Sequence, residues 1–358
     1  MTDHQNGMVE ADRCDRMPPM KQASRETITR RLTGLLTNRW VVGGSLSVLI
    51  LGWLLSFADI SSFRQFAHAF DTGFAFAMVA ATAAGYFAGA WRLNLLVQTI
   101  VPAQFGKDMA VTVSHRFFLA VLPARLGEIA YVILLKRHYN ISFGLGAATL
   151  IVSRVYDVIV VAIAFLIGIV GSIETSESRP HLIAISIGMV SICVAIIVFA
   201  PKSLTLLAAI CYSGFLPRAR WVRKFQRSVL IARRWVRSEL SPKLHFYLLI
   251  STTIRWMLDF IAVYFAFTCI GVSLSALGVM FLAGGMNLIG GLPIQTIGGF
   301  GLLEAGMTGL LMLLGFERGS AVSAAVISRL AMFLIPVLFW ILWMLSPARR
   351  WYSGTSSP

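Results

Sequence analysis

Apolar residues run along this chain in stretches too long and too continuous for the core of a soluble domain. Stretches at about 40–58, 74–98, 144–171, 182–200, 246–270 and 320–346 approach or exceed the roughly 20 apolar residues that cross a bilayer. They predict six full membrane spans. The polar segments between them differ in sign. Loop 59–73 sets Arg64 against Asp59 and Asp71, loop 172–181 sets Arg179 against Glu174 and Glu177, and loop 271–276 carries no basic residue. Basic residues gather instead before the first span, at Lys107, at Lys136-Arg137, in segment 201–245 and at Arg349-Arg350. Such an excess marks cytoplasmic segments, so both termini are expected inside.

Two further apolar stretches do not alternate sides. Residues 108–136 begin and end among inside charges, and residues 277–315 begin and end outside. Each is broken in its middle, by Leu122-Pro123-Ala124-Arg125-Leu126-Gly127 in the first and by Gly290-Gly291-Leu292-Pro293 and Gly298-Gly299-Phe300-Gly301 in the second. Proline lacks the amide hydrogen and glycine weakens a helix interior, so the chain is expected to break there. Broken backbone at membrane depth survives only inside protein or beside a cavity. The stretches therefore predict two re-entrant helical hairpins, one dipping from each face. Residues 277–315 are also long enough for two thin spans.

A repeat emerges from this order. Span, hairpin and span occupy 74–171 and again 246–346, the first entering from outside and the second from inside. The same charged pattern recurs in each: Gly127-Glu128 is followed by Ser153-Arg154, and Gly301 and Glu304 by Ser328-Arg329. Arg154 lies 26 positions after Glu128, and Arg329 lies 25 after Glu304. Each opening span also carries a tryptophan–arginine pair, Trp91-Arg92 and Arg255-Trp256. Inverted repeats around a midplane site are a common plan of transporters. The fold class is thus all-α and polytopic, with about six full spans and two re-entrant hairpins in an inverted-topology repeat. A basic tail (1–39), a transmembrane domain (40–346) with a basic amphipathic loop (201–245), and a short C-terminal tail (347–358) complete the organisation.

Composition agrees: 57% of residues are hydrophobic, 13% are charged, and mean hydropathy is +0.76. The formal net charge of +15 sits in the inside segments rather than on a nucleic-acid face. Segment 218–240 spaces Trp221, Phe225, Val229 and Trp235-Val236 at helical intervals among arginines, which predicts an interfacial amphipathic helix on the anionic inner leaflet. A partner protein is the other reading of that segment. The four cysteines have no metal or redox spacing, and no phosphate-binding loop is present, so no cofactor, metal or ATP hydrolysis is expected.

The chemistry then rests on charges inside apolar segments. Glu128, Asp157, Asp259 and Glu304 are the acids there, with Arg125, Arg154 and Arg329 as natural partners and Arg92 and Arg255 near span ends. Each central charge costs about 2.5–3.5 kcal/mol to insert, so they are expected to pair or to serve a site. Arg154 and Asp157 are three apart and share a helix face. Structural pairs that lock hairpins to spans are one reading. An anion-binding cavity is the other, because guanidinium presents a fixed fork of donors that suits phosphate. His115 and His138, near the first hairpin's mouth, read as solvated or capping residues, and Gly85 with Gly89 as a close helix contact.

Leu122-Pro123-Ala124-Arg125-Leu126-Gly127-Glu128, Ser153-Arg154-Val155-Tyr156-Asp157, Gly298-Gly299-Phe300-Gly301-Leu302-Leu303-Glu304 and Ser328-Arg329-Leu330 together resemble the transmembrane region of lysylphosphatidylglycerol synthases. Stand-alone flippase-like membrane proteins of the UPF0104 type belong to that group. The resemblance runs over most of 40–346. It implies a multi-pass inner-membrane protein that moves amphiphilic lipids between leaflets, and it marks Arg125, Glu128, Arg154, Asp157, Glu304 and Arg329 as substrate-binding. The synthases' soluble aminoacyl-transferase domain has no counterpart after the last span, so lipid lysinylation does not carry over. Residues 293–299 also lack a second proline that relatives often have. The expectation is a lipid translocase, not an enzyme, acting on membrane lipids with anionic or phosphate-bearing headgroups, with lipid-biosynthesis enzymes as candidate partners and no nucleic acid. An integral-membrane transferase and a scaffold for lipid synthesis are the alternatives.

Overall fold

The computed structural model describes residues 39–122, 126–172, 180–192, 195, 220–291 and 299–347, and among them every regular element is a helix. In chain order these are α1 (Arg39–Leu55), α2 (Ile60–His68), α3 (Thr72–Val97), α4 (Phe105–Val121), α5 (Leu126–Tyr139) and α6 (Phe143–Ser172). There follow α7 (Pro180–Ile192), α8 (Arg220–Ser238), α9 (Pro242–Thr268), α10 (Ala276–Gly290), α11 (Leu302–Leu313) and α12 (Arg318–Leu345). Four of them, α3, α6, α9 and α12, have 26, 30, 27 and 28 residues and are apolar enough to cross a membrane. At 1.5 Å per residue they are about 39–45 Å long, against a hydrocarbon core of about 30 Å. Their ends agree with the expected spans to within four residues. Of the other two expected spans, α1 forms over 17 residues. The span expected at 182–200 is described as α7 up to Ile192, and 193, 194 and 196–200 lie outside the described residues.

Both expected breaks are present. Helix α4 stops at Val121 and Leu122 turns extended (φ −80°, ψ 137°), the conformation that a following proline imposes. Helix α5 then starts at Leu126; residues 123–125, Arg125 among them, lie outside the described residues. The second break falls between Gly290 and Leu302, with 292–298 outside the described residues. There Gly299 and Gly301 have φ of +75° and +87°, a region closed to most side chains. A Cβ on Gly301 would also meet Ile50 Cβ at 2.8 Å, because the start of α11 rests directly on α1.

Polar residues outside the apolar runs fix the helix starts. Asp71 accepts from the amides of Gly73 and Phe74 to begin α3, Ser241 begins α9 with Pro242 at its first position, and Ser275 begins α10. Segment 59–73, expected as a loop, folds in part as α2. Asp59 caps it, taking hydrogen bonds from the hydroxyls and amides of Ser61 and Ser62, and these bonds hold its carboxyl down at about 2. Phe66 carries the other face of α2 into the main core. Only one aromatic anchors it, so the apolar pattern is too sparse to read as a helix.

Packing crosses between the halves of the chain. The most extensive contact joins α3 to α9, followed by α6 to α10, while α4 packs on α5, α3 and α12. At the α6–α10 contact Phe165 and Phe281 stack with ring centroids 5.3 Å apart. The backbone and Cβ of each phenylalanine press on the partner helix's glycine: a Cβ on Gly168 would fall 2.4 Å from Phe281 N, and one on Gly284 2.8 Å from Phe165 Cβ. The spacing Phe-x-x-Gly occurs on both helices and makes the contact reciprocal. Around it gather Ile169, Phe267, Leu282, Met307 and Leu311, all buried, as the largest apolar core.

Candidate functional site

Charged residues of five helices converge on one cavity. Asp157 on α6 is its centre, only 5% exposed. Its Oδ1 accepts from Arg92 Nη1 on α3 at 2.5 Å, Arg255 Nη2 on α9 at 2.9 Å and Trp256 Nε1 at 3.0 Å. Its Oδ2 faces Arg154 Nη1, one helical turn back, at 3.5 Å. Arg255 also reaches Asp259 Oδ2 at 3.1 Å, and Asp259 is held by both terminal nitrogens of Arg116 from α4 at 3.0 and 3.1 Å. At the other end Arg154 Nε lies 3.2 Å from Glu128 Oε1 on α5. The chain Glu128–Arg154–Asp157–Arg255–Asp259–Arg116 is therefore continuous, with Arg92 joined at its middle.

The cavity bounded by these groups has a volume of about 410 Å³. Arg92, Arg116, Arg154, Arg255 and Arg329 line it, with Asp157 and Asp259, and apolar walls from Met78, Leu119, Met332 and Pro336. Setting the five arginines against Asp157, Asp259 and the two paired glutamates leaves one positive charge in excess. The arginines are not equally available. The side chains of Arg92, Arg116, Arg255 and Arg329 are 11–19% exposed, whereas that of Arg154 is 35% exposed. Arg154 also has the longest contact to Asp157. It is the guanidinium of this network that a ligand reaches with least rearrangement.

The glycines of α3 make room for this network. A Cβ on Gly85 would sit 3.1 Å from Asp259 Oδ1, and one on Gly89 3.1 Å from Thr112 Cγ2 and 3.8 Å from Arg255 Cδ. The G-x-x-x-G spacing thus does more than bring two helices together: it seats an ion pair between them. Arg116 is further held over the ring of Tyr86, its guanidinium carbon 4.8 Å from the centroid.

The sequence-predicted residues divide as follows. Glu128, Arg154 and Asp157 belong to the network. Glu304 and Arg329 form a separate pair, with Arg329 Nε 3.6 Å from Glu304 Oε1. Glu304 is 1% exposed, and its Oε2 accepts from the Gly301 amide at 2.6 Å, which starts α11. Arg329 lines the cavity and Glu304 does not. The expectation for Arg125 lies outside the described residues. Arg255 does not sit near a span end but in the middle of α9, buried, as a hub between two aspartates. Arg116 was not recognisable as a member, since its partner is 143 positions away.

A fifth acid, Asp108, also lies within an apolar segment. It is fully buried and accepts from Asn94 Nδ2 and Tyr139 OH, both at 2.7 Å, tying α3, α4 and α5 together. Of the histidines, His115 borders the cavity and His138 is buried rather than solvated. Among the described residues no three His, Cys, Asp or Glu side chains come together as a metal site.

Comparison with known proteins gives this geometry a family. A UPF0104 membrane protein of Methanocaldococcus jannaschii is 23% identical over 225 residues, which are 62% of this chain and 91% of the relative. A UPF0104 membrane protein of Pyrococcus horikoshii is 27% identical over 229 residues, 59% of this chain and 68% of the relative. No solved structure matches the chain. The family described as the lysylphosphatidylglycerol synthase TM region matches residues 40–339, so the four charged motifs, the α3–α9 pair and the cavity between them all lie inside the matched region. This chain is a membrane protein of the lysylphosphatidylglycerol synthase TM region family.

Proposed function

We propose that this protein is a lipid translocase of the inner membrane, not an enzyme, which carries an anionic or polar headgroup, or a lipid-linked glycan, through the arginine cavity. The observation that carries the reading is the cavity itself. A cluster of five arginines at membrane depth, with one charge in excess and one guanidinium open, suits an incoming anionic headgroup better than it suits a packed core. Lipid tails would stay in the bilayer while the headgroup exchanges its water for Arg154 and then Arg329. Glu128 releases Arg154 as the anion arrives, and Glu304 plays that part for Arg329.

Two features support re-entrant hairpins in inverted repeats as the moving parts. Helices α4, α5, α10 and α11 have 17, 14, 15 and 12 residues, about 18–26 Å, each short of a hydrocarbon core of about 30 Å. Their contacts also cross over: α4, from the first hairpin, packs on the closing span α12 of the second repeat, and α10 packs on the closing span α6 of the first. Rocking one repeat against the other, with both termini in the cytoplasm, would expose the cavity to each leaflet in turn. The test is reconstitution into phosphatidylcholine vesicles holding a trace of fluorescent phosphatidylglycerol, with dithionite added outside. Protein-containing vesicles are expected to bleach beyond their outer leaflet. Bleaching that stops at the outer leaflet, as in protein-free vesicles, would contradict a translocase.

A further inference from the structure

The second concentration of arginine lies outside the cavity lining, on α8. Its 19 residues hold Arg220, Arg223, Lys224, Arg227, Arg233, Arg234 and Arg237 and no acid. The sequence predicts that its apolar stripe rests in lipid. Instead Val229, Ala232 and Trp235 are buried against protein. Ala232 and Trp235 enter a core with Leu96 of α3, Ala148 and Tyr156 of α6, and Leu244 and Leu248 of α9. Trp235 Nε1 donates to Thr99 Oγ1, just past the end of α3, at 2.9 Å. The side chains of 220–228, Trp221 and Phe225 included, lie outside the described residues.

This docking fixes which way the basic face looks and at what depth. The core that receives Trp235 takes Leu145 through Tyr156 from α6, about 16 Å of helix. Through Ala232 and Trp235, helix α8 is held level with the end of α3 and the start of α9, rather than hanging free beneath the bundle. Leu230, Arg233, Arg234, Arg237 and Ser238, at helical spacing, border an open depression of about 550 Å³; Arg234, Arg237 and Ser238 are exposed, and Leu230 and Arg233 are half-buried. Among the described residues no acidic side chain pairs with these three arginines. Like charges one, three and four positions apart repel, so an anion that settles among them relieves that repulsion. Loop charges put this end of the bundle at the cytoplasmic leaflet, whose anionic lipids attract arginine at headgroup depth.

We propose that the outward face of α8 is a binding site for the phosphodiester headgroup of an anionic phospholipid of the cytoplasmic leaflet, separate from the cavity. The three guanidinium groups supply the donors for the phosphate, and Leu230 meets the start of the acyl chains. A free phosphate shares this chemistry, but only a lipid is held at this depth by its tails.

Native mass spectrometry of the purified full-length protein in detergent tests the assignment, with short-chain phosphatidylglycerol, phosphatidylcholine and inorganic phosphate as probes. Phosphatidylglycerol is expected to bind in preference to phosphatidylcholine. Arg233→Gln, Arg234→Gln and Arg237→Gln together are expected to weaken it on the order of a hundredfold, as three lost surface contacts imply. Replacing the three by lysine is expected to retain part of the affinity, since the charge stays and the fork is lost. Arg64→Ala, on the exposed face of α2, is expected to leave this binding unchanged. Equal binding of the two lipids would overturn the proposal, as would a loss in Arg154→Ala with none in the triple variant. Displacement of the lipid by inorganic phosphate at comparable concentration would make this a free-anion site and overturn it too. Should the triple variant not fold, Arg234→Glu on the exposed surface decides in its place: weakened phosphatidylglycerol binding is expected, and unchanged binding would overturn the site.

Discussion

At the scale of single residues, the cavity sets closely buried charges beside Arg154, which is paired but more open to a ligand. Asp157 receives three donors on one oxygen, and Arg92 and Arg255 depend on it for compensation. Asp157→Asn would leave the buried Arg92 without its carboxylate and Arg255 with Asp259 alone, and is expected to destabilise the protein by about 3–5 kcal/mol. Arg154→Gln, at a half-open position, is expected to change stability by less than about 1 kcal/mol. Thermal unfolding of both variants in detergent checks this, and equal losses would show that Arg154 is as structural as Asp157. The repeated spacing made Glu128 with Arg154, and Glu304 with Arg329, legible before any coordinates. It could not reveal Arg116 or the role of Asp259, because their bond joins α4 to α9 and leaves no local pattern. Nor did it show that Arg255 bridges two aspartates, although the four-residue spacing to Asp259 was there to be read.

At the scale of elements, hydropathy located the four long helices and both breaks, because length and proline–glycine chemistry are local properties. It missed α2 and misplaced the apolar face of α8, because both are decided by what packs against them. The reciprocal contact of α6 with α10 is of the same kind. A methyl group on Gly168 would strike the backbone of Phe281, which cannot rotate away. Gly168→Ala is therefore expected to lower stability by about 1–3 kcal/mol or more through forced separation of the helices. Gly309→Ala in α11 meets nothing within 4 Å and is expected to be neutral or stabilising by up to about 1 kcal/mol. Melting temperatures of the two variants compare them directly. A neutral Gly168→Ala would mean that α6 and α10 are not in such close contact.

At the scale of the whole molecule, the claim is an inverted repeat around one polar cavity, with lipid entering from either leaflet. Topology is checked by single cysteines in a cysteine-free background. A membrane-impermeant maleimide on intact cells is expected to label Ser273→Cys in the loop before α10, and to label Ser238→Cys only after permeabilisation. Labelling of both from the same side would mean that α9 does not cross the membrane and would contradict the second repeat. The most direct test of the account is the flip rate of vesicles carrying Arg154→Ala, set beside wild type and the exposed control Arg64→Ala. Loss of one charge-assisted contact to the headgroup predicts a rate lower by on the order of tenfold or more in Arg154→Ala, with an unchanged melting temperature and an unchanged rate in the control. A wild-type rate in Arg154→Ala would contradict it, and the arginine cavity would then be no more than the lock between hairpins and spans.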